Sequence, residues 1–409
     1  MSDSQYDIIV FGATSFVGQI LCKYLLDTLT DADSLNWAIA GRSQTKLDTL
    51  KTSLGSNASA LQTIVADAAS ATDMAAMCKQ ANVIVSTVGP YALYGEPLVK
   101  ACAESGTDYC DLTGEVQWIR EMVQKYESAA KESGARIVHC CGFDSIPSDL
   151  GVYFLQQESN KQYGKPCERV KMRVKAMRGG ASGGTVASMV NIAQEAASNP
   201  ALRKELANPY SLCSSDYPTH IRQPNVTSAT KDDEFSAWSA PFVMAAINTR
   251  IVQRSNDLSD QAYGSSFTYD EAMLTKPGIA GWLTAQSVTV GIGGFMVAAA
   301  IKPSRWLLEK YVLPAPGEGP SPSAQEKGFY DLRFAGKTTD GQTLTVKVTG
   351  DKDPGYGSTS KMLGQSAISL VQDFSKADKA GGFWTPATMF GDTLIQRLKK
   401  HSGLTFEVL

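Results

Sequence analysis

Short apolar runs alternate with segments of helical spacing over the first third of the chain. The run that begins at Asp7 is followed by a segment in which Ile20 and Tyr24 share a helical face, and Trp37 then opens a second run. Such alternation predicts parallel strands joined by crossover helices. Further runs lie at residues 61–66, 82–88, 107–111 and 135–140. The pattern predicts an α/β fold with a doubly wound parallel sheet of six strands.

The pattern changes after residue 147. Residues 168–177 alternate apolar with basic side chains, which is typical of a strand with one buried and one solvent-facing side. Further strands are expected at 264–269, 328–334 and 343–349, and a helix at 183–199. These elements predict a first domain over residues 1–147 and a second, α+β domain over residues 148–357, built on a mostly antiparallel sheet. The remaining residues 358–409 begin with an amphipathic helical segment.

One stretch of the second domain, residues 277–301, contains no charged side chain. Trp282 and Trp306 bracket most of it, and Lys302 and Arg305 follow it, as at the ends of membrane segments. Its polar residues and five glycines argue against a membrane-spanning helix. Three interpretations remain open: a transmembrane helix, a helix buried between domains or in a dimer, and a helix that faces lipid.

Composition narrows the range of partners. The chain has 409 residues and a formal net charge of −3, and it lacks the basic patch that nucleic-acid binding requires, so small molecules are the expected partners. No charged-then-apolar leader opens the sequence, which predicts a cytoplasmic protein. The eight cysteines include no Cys-x-x-Cys pair and only three histidines accompany them. We therefore expect reduced thiols and no metal site.

The most informative stretch is the turn between the first strand and the first helix. A pyrophosphate requires close backbone N–H groups and the positive end of a helix dipole, so side chains there must be small or absent. Gly12 and Gly18 meet this requirement, while Ser15 stands where the usual dinucleotide fingerprint has another glycine. The alternative is a glycine-rich turn that binds nothing. The residues predicted to hold the phosphates are Gly12, Ala13, Thr14, Ser15, Phe16, Val17 and Gly18.

The end of the second strand indicates which dinucleotide is bound. Arg42 lies where an NAD-binding chain usually carries an acidic side chain for the ribose hydroxyls. A guanidinium there can pair with a 2′-phosphate, so we expect NADP in preference to NAD. The alternative is a solvated arginine at the start of a helix.

The third and fourth strands end at further candidate cofactor contacts. Asp67 and Ala68 are expected to contact the adenine, although Asp67 can alternatively cap the next helix. Val88, Gly89 and Pro90 are expected beside the nicotinamide ribose, because open parallel sheets bind ligands at the carboxyl ends of their strands. The alternative for these three is an ordinary strand-to-helix turn.

Three blocks of sequence resemble one family of enzymes. They are residues 87–96 (TVGPYALYGE), 109–115 (YCDLTGE) and 139–151 (HCCGFDSIPSDLG). In this order they resemble the saccharopine dehydrogenase-like oxidoreductases, and within them the trans-acting enoyl reductases of mycobacterial lipid synthesis. The resemblance implies a Rossmann-type domain that binds a nicotinamide cofactor. It also implies that residues 358–409 pack near that domain.

A proton donor is expected near the nicotinamide, because hydride transfer leaves a developing anion for the protein to stabilise or protonate. Tyr91 and Tyr94 follow the turn expected to face the cofactor. The resemblance places Asp144 where the equivalent turn of saccharopine reductases meets substrate. Each has a structural alternative, since the tyrosines can line a cleft and Asp144 can cap a helix. These three are the candidate catalytic residues.

Three functions are compatible with the sequence. The first is an NADP-dependent reductase that acts on an apolar, lipid-like substrate such as an enoyl group. The second is an amino-acid dehydrogenase of the saccharopine type, and the third is a non-catalytic nucleotide-binding protein on a lipid surface. The second function would need arginines for substrate carboxylates, and the candidates are Arg173, Arg178, Arg203, Arg222 and Arg250.

We also expect the chain to form a homodimer. The uncharged stretch leaves peripheral association with a membrane open.

Overall fold

A computed structural model describes residues 4–29, 35–180, 183–218, 220–311, 313 and 318–409. The chain divides into two compact units. The first unit contains Met1–Phe143, Gly317–Gly319 and Gly355–Ser402, and the second contains Asp144–Pro316, Pro320–Pro354 and Gly403–Leu409. The second unit thus begins at Asp144, four residues before the predicted start of the second domain.

Strands and helices alternate along the N-terminal part of the first unit. They are β1 (Tyr6–Phe11), α1 (Phe16–Thr28), β2 (Trp37–Gly41), α2 (Gln44–Leu54), β3 (Gln62–Val65), α3 (Ala71–Cys78), β4 (Ala81–Ser86), α4 (Tyr91–Tyr94), α5 (Glu96–Ser105), β5 (Asp108–Asp111), α6 (Val116–Ser133) and β6 (Arg136–Val138).

The second unit mixes long helices with strands. Its elements up to residue 350 are α7 (Ile146–Tyr163), β7 (Arg169–Arg178), α8 (Gly183–Ser198), α9 (Pro200–Ala207), β8 (Thr230–Asp232), β9 (Ala237–Ala240), α10 (Ala245–Leu258), β10 (Thr268–Leu274), α11 (Gly278–Ala300), α12 (Lys302–Tyr311), α13 (Pro322–Glu326), β11 (Phe329–Lys337) and β12 (Thr343–Gly350). The chain then continues through α14 (Thr359–Gln372), β13 (Gly382–Trp384), α15 (Pro386–His401) and β14 (Thr405–Val408).

The first unit is built on one parallel sheet of seven strands, in the order β13-β6-β5-β4-β1-β2-β3. This confirms the predicted doubly wound α/β sheet and adds a seventh strand, β13. β1 lies inside the sheet, with Val10 aligned to Ile39 of β2 and Val85 of β4. Ile8 and Ile9 are fully buried, as expected of a strand covered on both faces. The strand order reverses between β1 and β4, and such a reversal opens a crevice for ligands at the carboxyl ends.

The C-terminal segment completes this unit. Helix α14 packs against β1, β4 and β5. The buried guanidinium of Arg136, on β6, donates to the carbonyl oxygens of Leu370 at 3.0 Å and Phe374 at 2.9 Å, and it pairs with Asp108. A cation at this end satisfies carbonyls that have no partner inside the helix and complements the helix dipole. Residues 403–409 depart from the packing predicted for 358–409, because β14 pairs with β12 in the second sheet.

The second sheet has the order β14-β12-β11-β7-β10-β9-β8. Only the neighbours β7 and β10 are parallel, so the prediction of a mostly antiparallel sheet is confirmed for the described residues. The strand predicted at 264–269 was misplaced, because β10 runs from Thr268 to Leu274. Asp270 and Glu271 are buried in this strand, and two charged residues interrupt the apolar pattern from which a buried strand is predicted. The same pattern did not reveal the short strands β8, β9 and β14.

Helix α11 carries the uncharged stretch and is largely exposed. Ile279 is 79% exposed, Val290 71% and Val297 61%. Among the described residues, this is the helix that is long and apolar enough to cross a membrane. Only 11% of its most apolar part is buried among the described residues, so the second unit itself leaves most of this stretch uncovered.

Helix α12 follows at once and adds aromatic and basic side chains to the same exposed region. Trp306 and Tyr311 are both largely exposed, and the ammonium of Lys310 lies 4.7 Å and 5.1 Å from their ring centres. Near its C-terminal end, α11 is held by α8, where Ala299 packs with Val190. We refer to the exposed side chains of α11 and α12 as the α11–α12 surface.

Candidate functional site

The turn between β1 and α1 holds two backbone segments in very close approach. Gly12 has a φ of +83°, and a Cβ there would lie 2.7 Å from Cγ2 of Val88. L side chains rarely adopt this conformation. A Cβ on Gly18 would overlap the carbonyl oxygen of Gly12. Both glycines are therefore required by the fold of the turn itself.

Ser15, which replaces a glycine of the usual fingerprint, caps α1. Its Oγ accepts the N–H of Gly18 at 2.9 Å and hydrogen bonds with Oγ1 of Thr87 at 2.9 Å. Serine is a preferred N-cap because it satisfies one of the unpaired first-turn N–H groups. The N–H groups of Phe16 and Val17 have no acceptor among the described residues. Free N–H groups at a helix N-terminus are suited to phosphate, so this turn fits a dinucleotide.

The other residues of the turn support this arrangement. Ala13 is buried and donates its N–H to the carbonyl oxygen of Ala40 at 3.2 Å. The carbonyl oxygen of Thr14 accepts from Nε2 of Gln19 at 3.2 Å. The side chain of Val88, predicted to lie beside the nicotinamide ribose, is the nearest neighbour of Gly12 in this turn. The first and fourth strand ends therefore meet, as a shared cofactor site requires.

Arg42 is exposed directly after β2, and its guanidinium forms no ion pair within the described part of the chain. Ser43, the next residue, caps α2 by accepting the N–H of Lys46 at 3.4 Å. Oγ1 of Thr14 lies 3.7 Å from the position that a Cβ would take on Gly41. The end of β2 is thus close to the phosphate turn, and the free guanidinium beside it suits a 2′-phosphate.

Asp67 is exposed at the end of the third strand and forms a local turn. Its Oδ1 accepts the N–H of Ala69 at 3.0 Å, and its own N–H donates to Oδ2 of Asp73 at 3.0 Å. The N-cap of α3 is Ser70, so the alternative role of Asp67 as the helix cap is wrong. Ala68 is half-buried beside it. Their contact with adenine stays a prediction.

The residues after β4 turn sharply into α4. Gly89 is exposed, and it is joined to Pro90 by a cis peptide bond. The carboxylate of Glu115 accepts the N–H groups of Tyr91 at 2.9 Å and Ala92 at 2.8 Å, which caps α4 from a distant part of the chain. The backbone that is expected to face the nicotinamide is therefore held by a buried carboxylate.

The two candidate tyrosines differ in their surroundings. Tyr91 is buried, and its hydroxyl donates to the carbonyl oxygen of Ser86 at 3.0 Å. Its ring lies 5.3 Å from that of Trp118. Tyr94 is 46% exposed at the end of α4. The geometry favours a structural role for Tyr91, while Tyr94 presents its side chain to solvent.

A buried Asp–His pair, which sequence reasoning missed, joins the ends of β5 and β6. Oδ2 of Asp111 lies 2.7 Å from Nδ1 of His139 and accepts the hydroxyl of Tyr109 at 2.9 Å. Its Oδ1 accepts the N–H groups of Thr113 and Cys140, each at 3.1 Å. Burial, with the neighbouring carboxylate, raises the pKa of Tyr109. The pair fixes the turn after β6, where Cys140 has a φ of +61°.

Asp144 begins the second unit and is half-buried. The N-cap of α7 is Ser145, so Asp144 lies one residue outside the helix and does not cap it. The described residues contain no group of three or more His, Cys, Asp or Glu side chains that could hold a metal ion. Seven of the cysteines are buried thiols, and Cys213 is half-buried.

Comparison with known proteins gives a consistent result along the whole chain. The family model of the saccharopine dehydrogenase NADP-binding domain matches residues 8–138. A relative from Mycobacterium tuberculosis, provisionally named a trans-acting enoyl reductase, is 40% identical over 96% of this chain and 95% of its own length. A trans-acting enoyl reductase from Mycobacterium ulcerans is 37% identical over 97% of each chain. The similarity therefore extends well beyond the cofactor-binding region.

A solved structure shares the fold. Saccharopine dehydrogenase (L-Glu forming) from Saccharomyces cerevisiae matches with a TM-score of 0.54 over 99% of this chain and 100% of its own, at 14% identity. At that identity the likeness concerns the fold alone.

Proposed function

From the premise that this chain belongs to the saccharopine dehydrogenase-like oxidoreductases, in the group of the trans-acting enoyl reductases, we propose that it reduces an apolar enoyl substrate. The chain is an NADP-dependent reductase, as the matched cofactor domain and the full-length relatives indicate. One observation supports an enoyl substrate: relatives of nearly equal length are named trans-acting enoyl reductases.

The residues of the first unit fit the cofactor. The N–H groups of Phe16 and Val17 would hold the pyrophosphate, and Arg42 would pair with the 2′-phosphate. When bound, NADPH supplies a hydride to the β-carbon of the enoyl group. The α-carbon then takes a proton, and the exposed Tyr94 and the half-buried Asp144 are the proposed donors.

The surroundings of the arginines disfavour an amino-acid substrate. Arg173 is buried between Asp232 and Asp270, at 2.6 Å and 2.5 Å. Arg203, on α9, donates to two backbone carbonyl groups in the last turn of α8, and Arg250 donates to the carbonyl oxygen of Leu206 at 2.7 Å. Three of the five arginines considered for carboxylate binding are therefore occupied, which supports the apolar substrate.

The test measures the rate of NADPH oxidation by the full chain with two substrates. One is a long-chain enoyl-coenzyme A thioester, and the other is a mixture of an amino acid and an aldehyde. Turnover of the thioester supports the proposal. Turnover of only the amino-acid mixture would establish the saccharopine-type alternative. NADPH binding without turnover of either would identify a non-catalytic nucleotide-binding protein.

We also propose that the α11–α12 surface rests on the cytoplasmic face of a membrane that contains anionic lipid. α11 offers an uncharged apolar face, and α12 adds Trp306, Tyr311 and the basic Lys310. Apolar side chains next to aromatic and basic ones match the boundary between acyl chains and anionic headgroups. This contact would bring the enzyme to a lipid-like substrate.

The strand pairing of the second sheet favours peripheral association of α11 with a membrane over a helix that spans it. β10 precedes α11 and β11 follows it, and both strands pair with β7. A helix that crossed the bilayer would leave these two strands on opposite sides. The described residues between α11 and β11 contain only the ten-residue α12 and the five-residue α13, neither of which could return the chain across the membrane.

Flotation with vesicles tests this contact. The parent chain should float with vesicles of mixed neutral and anionic phospholipid, and Val290→Lys should abolish flotation because a charge would enter the apolar boundary. Arg203→Gln, outside this surface, is the control. The homodimer stays a prediction, and sedimentation of the parent chain and of Val290→Lys tests it. If the parent is a dimer that does not float with vesicles, and Val290→Lys is a monomer, a second copy of the chain covers α11 and the membrane contact is refuted.

A further inference from the structure

A buried polar network in the second unit connects the start of α7 to the second sheet. Oε1 of Glu271, on β10, accepts the hydroxyl of Tyr269 at 2.7 Å, and Oε2 accepts Nδ2 of Asn248, on α10, at 2.9 Å. The same Nδ2 lies 3.1 Å from Oγ of Ser148, and Oδ1 of Asn248 accepts the hydroxyl of Ser145 at 3.0 Å. All five side chains are at most 2% exposed, so the network is sealed from solvent.

The network occupies the hydroxyl group that would otherwise cap α7. Ser145 is the N-cap of this helix, but its side chain makes no capping hydrogen bond and instead donates to Asn248. Ser148, three residues later, also turns towards Asn248. Because a serine at the N-cap usually satisfies one of the first N–H groups of its helix, the use of Ser145 here indicates that the position of the helix start is fixed by α10 and β10.

We propose that Asn248 and Glu271 are positioning residues, which hold the first turn of α7 and thereby set the position of Asp144, one of the proposed proton donors. This inference rests on the proposed reductase function, in which Asp144 is a candidate proton donor. Asp144 is joined directly to Ser145, so a displacement of the helix start must move it. Misplacement of a reacting group by about 1 Å can cost a hundred-fold in rate.

The network also contains a group that titrates near neutral pH. Burial raises the pKa of Glu271 to about 7, against the lowering effect of the hydrogen bonds from Tyr269, Asn248 and Ser148. A proton on Glu271 reverses at least one of these hydrogen bonds, since its carboxyl group then becomes a donor.

Other charged groups on the surrounding elements already have partners. Asp270, on the opposite face of β10, is paired with Arg173 of β7. On α7, Asp149 accepts from a serine of α10, and Arg254 of α10 donates to a backbone carbonyl. Glu271 is therefore the group in this network expected to titrate between about pH 6 and pH 8.

The test compares the pH dependence of kcat for the full chain and three variants, using a long-chain enoyl-coenzyme A thioester and NADPH. Asn248→Ala disconnects the helix start, and kcat should fall about ten- to a hundred-fold while KM for NADPH changes little. Glu271→Gln keeps a neutral hydrogen-bonding group, so kcat should stay within about three-fold of the parent and the pH step near neutrality should disappear. Val346→Ala, in the core of β12, is the structural control and should keep the parent pH profile.

Hydrogen exchange at residues 144–149 separates this proposal from the proposed function. Asn248→Ala should raise exchange there, and Val346→Ala should not. Faster exchange in Asn248→Ala with no turnover by the parent chain would show that the network holds the start of α7 but would overturn the reductase proposal, and with it a role in catalysis. Parent-like exchange and a parent-like pH profile in both network variants, or equal effects of Val346→Ala, would overturn the positioning role.

Discussion

Glu271→Gln should change how the stability of the second unit depends on pH. Burial raises the pKa of this carboxyl group from 4.5 to about 7. Between these values the folded chain binds more protons than the unfolded chain, so the parent loses stability as pH rises. At about 1.4 kcal/mol for each pH unit, the loss amounts to about 3 kcal/mol and is complete slightly above pH 7. Glutamine does not titrate, so the stability of the variant should not fall in this way as the pH rises.

Thermal unfolding of parent and variant at a series of pH values measures the effect. Near pH 4 both side chains are neutral, and the two midpoints should lie close together. Near pH 8 the variant should gain about 6–12 °C relative to the parent, since 1 kcal/mol shifts the midpoint of a unit of this size by about 2–4 °C. Every other group titrates equally in both proteins, so the difference isolates Glu271. Midpoint curves that run parallel from pH 4 to about pH 8 would refute the reasoning.

Three further predictions concern the first unit. Gly18→Ala should abolish NADPH binding in calorimetry, because a Cβ overlaps the backbone of the turn, whereas Gly293→Ala, whose Cβ would meet nothing within 4 Å, should bind as the parent does. Arg42→Ala should weaken NADPH binding about ten- to a hundred-fold and leave NADH binding nearly unchanged, and equal losses would show that Arg42 does not contact the phosphate. Asp111→Asn should lower the free energy of unfolding by about 1–3 kcal/mol, because an amide NH2 replaces one of the two oxygens that accept buried hydrogen bonds, and unchanged chemical denaturation would contradict this.

The sequence identifies the parts of the cofactor site that depend on local chemistry. Gly12 and Gly18 are recognisable because a strand-to-helix turn around phosphate permits few other residues. Arg42 is recognisable because it replaces an acid at a position fixed by the fold. Parallel strands covered on both faces leave long apolar runs, so the first six strands can be predicted with little ambiguity.

The missed features depend on contacts between distant segments. His139 lies 28 residues from Asp111, and Glu271 lies 23 residues from Asn248. No local pattern relates such positions, because only the sheet and its covering helices bring them together. The three residues of β13 are too few to show a period, and their pairing with β6 follows from the path of the whole chain.

The return of the C-terminal segment has a consequence for synthesis of the protein. The ribosome releases residues 1–143 long before β13 and α14, so the nascent first sheet has an open edge at β6 and lacks the helix that covers β1, β4 and β5. Exposed edges and apolar sheet faces promote aggregation. Arg136 meanwhile lacks the carbonyl groups of Leu370 and Phe374. A prematurely terminated chain therefore contains the nucleotide-binding turn but has an incomplete sheet in its cofactor domain. The exposed edge and face of that sheet make it a substrate for chaperones and proteases.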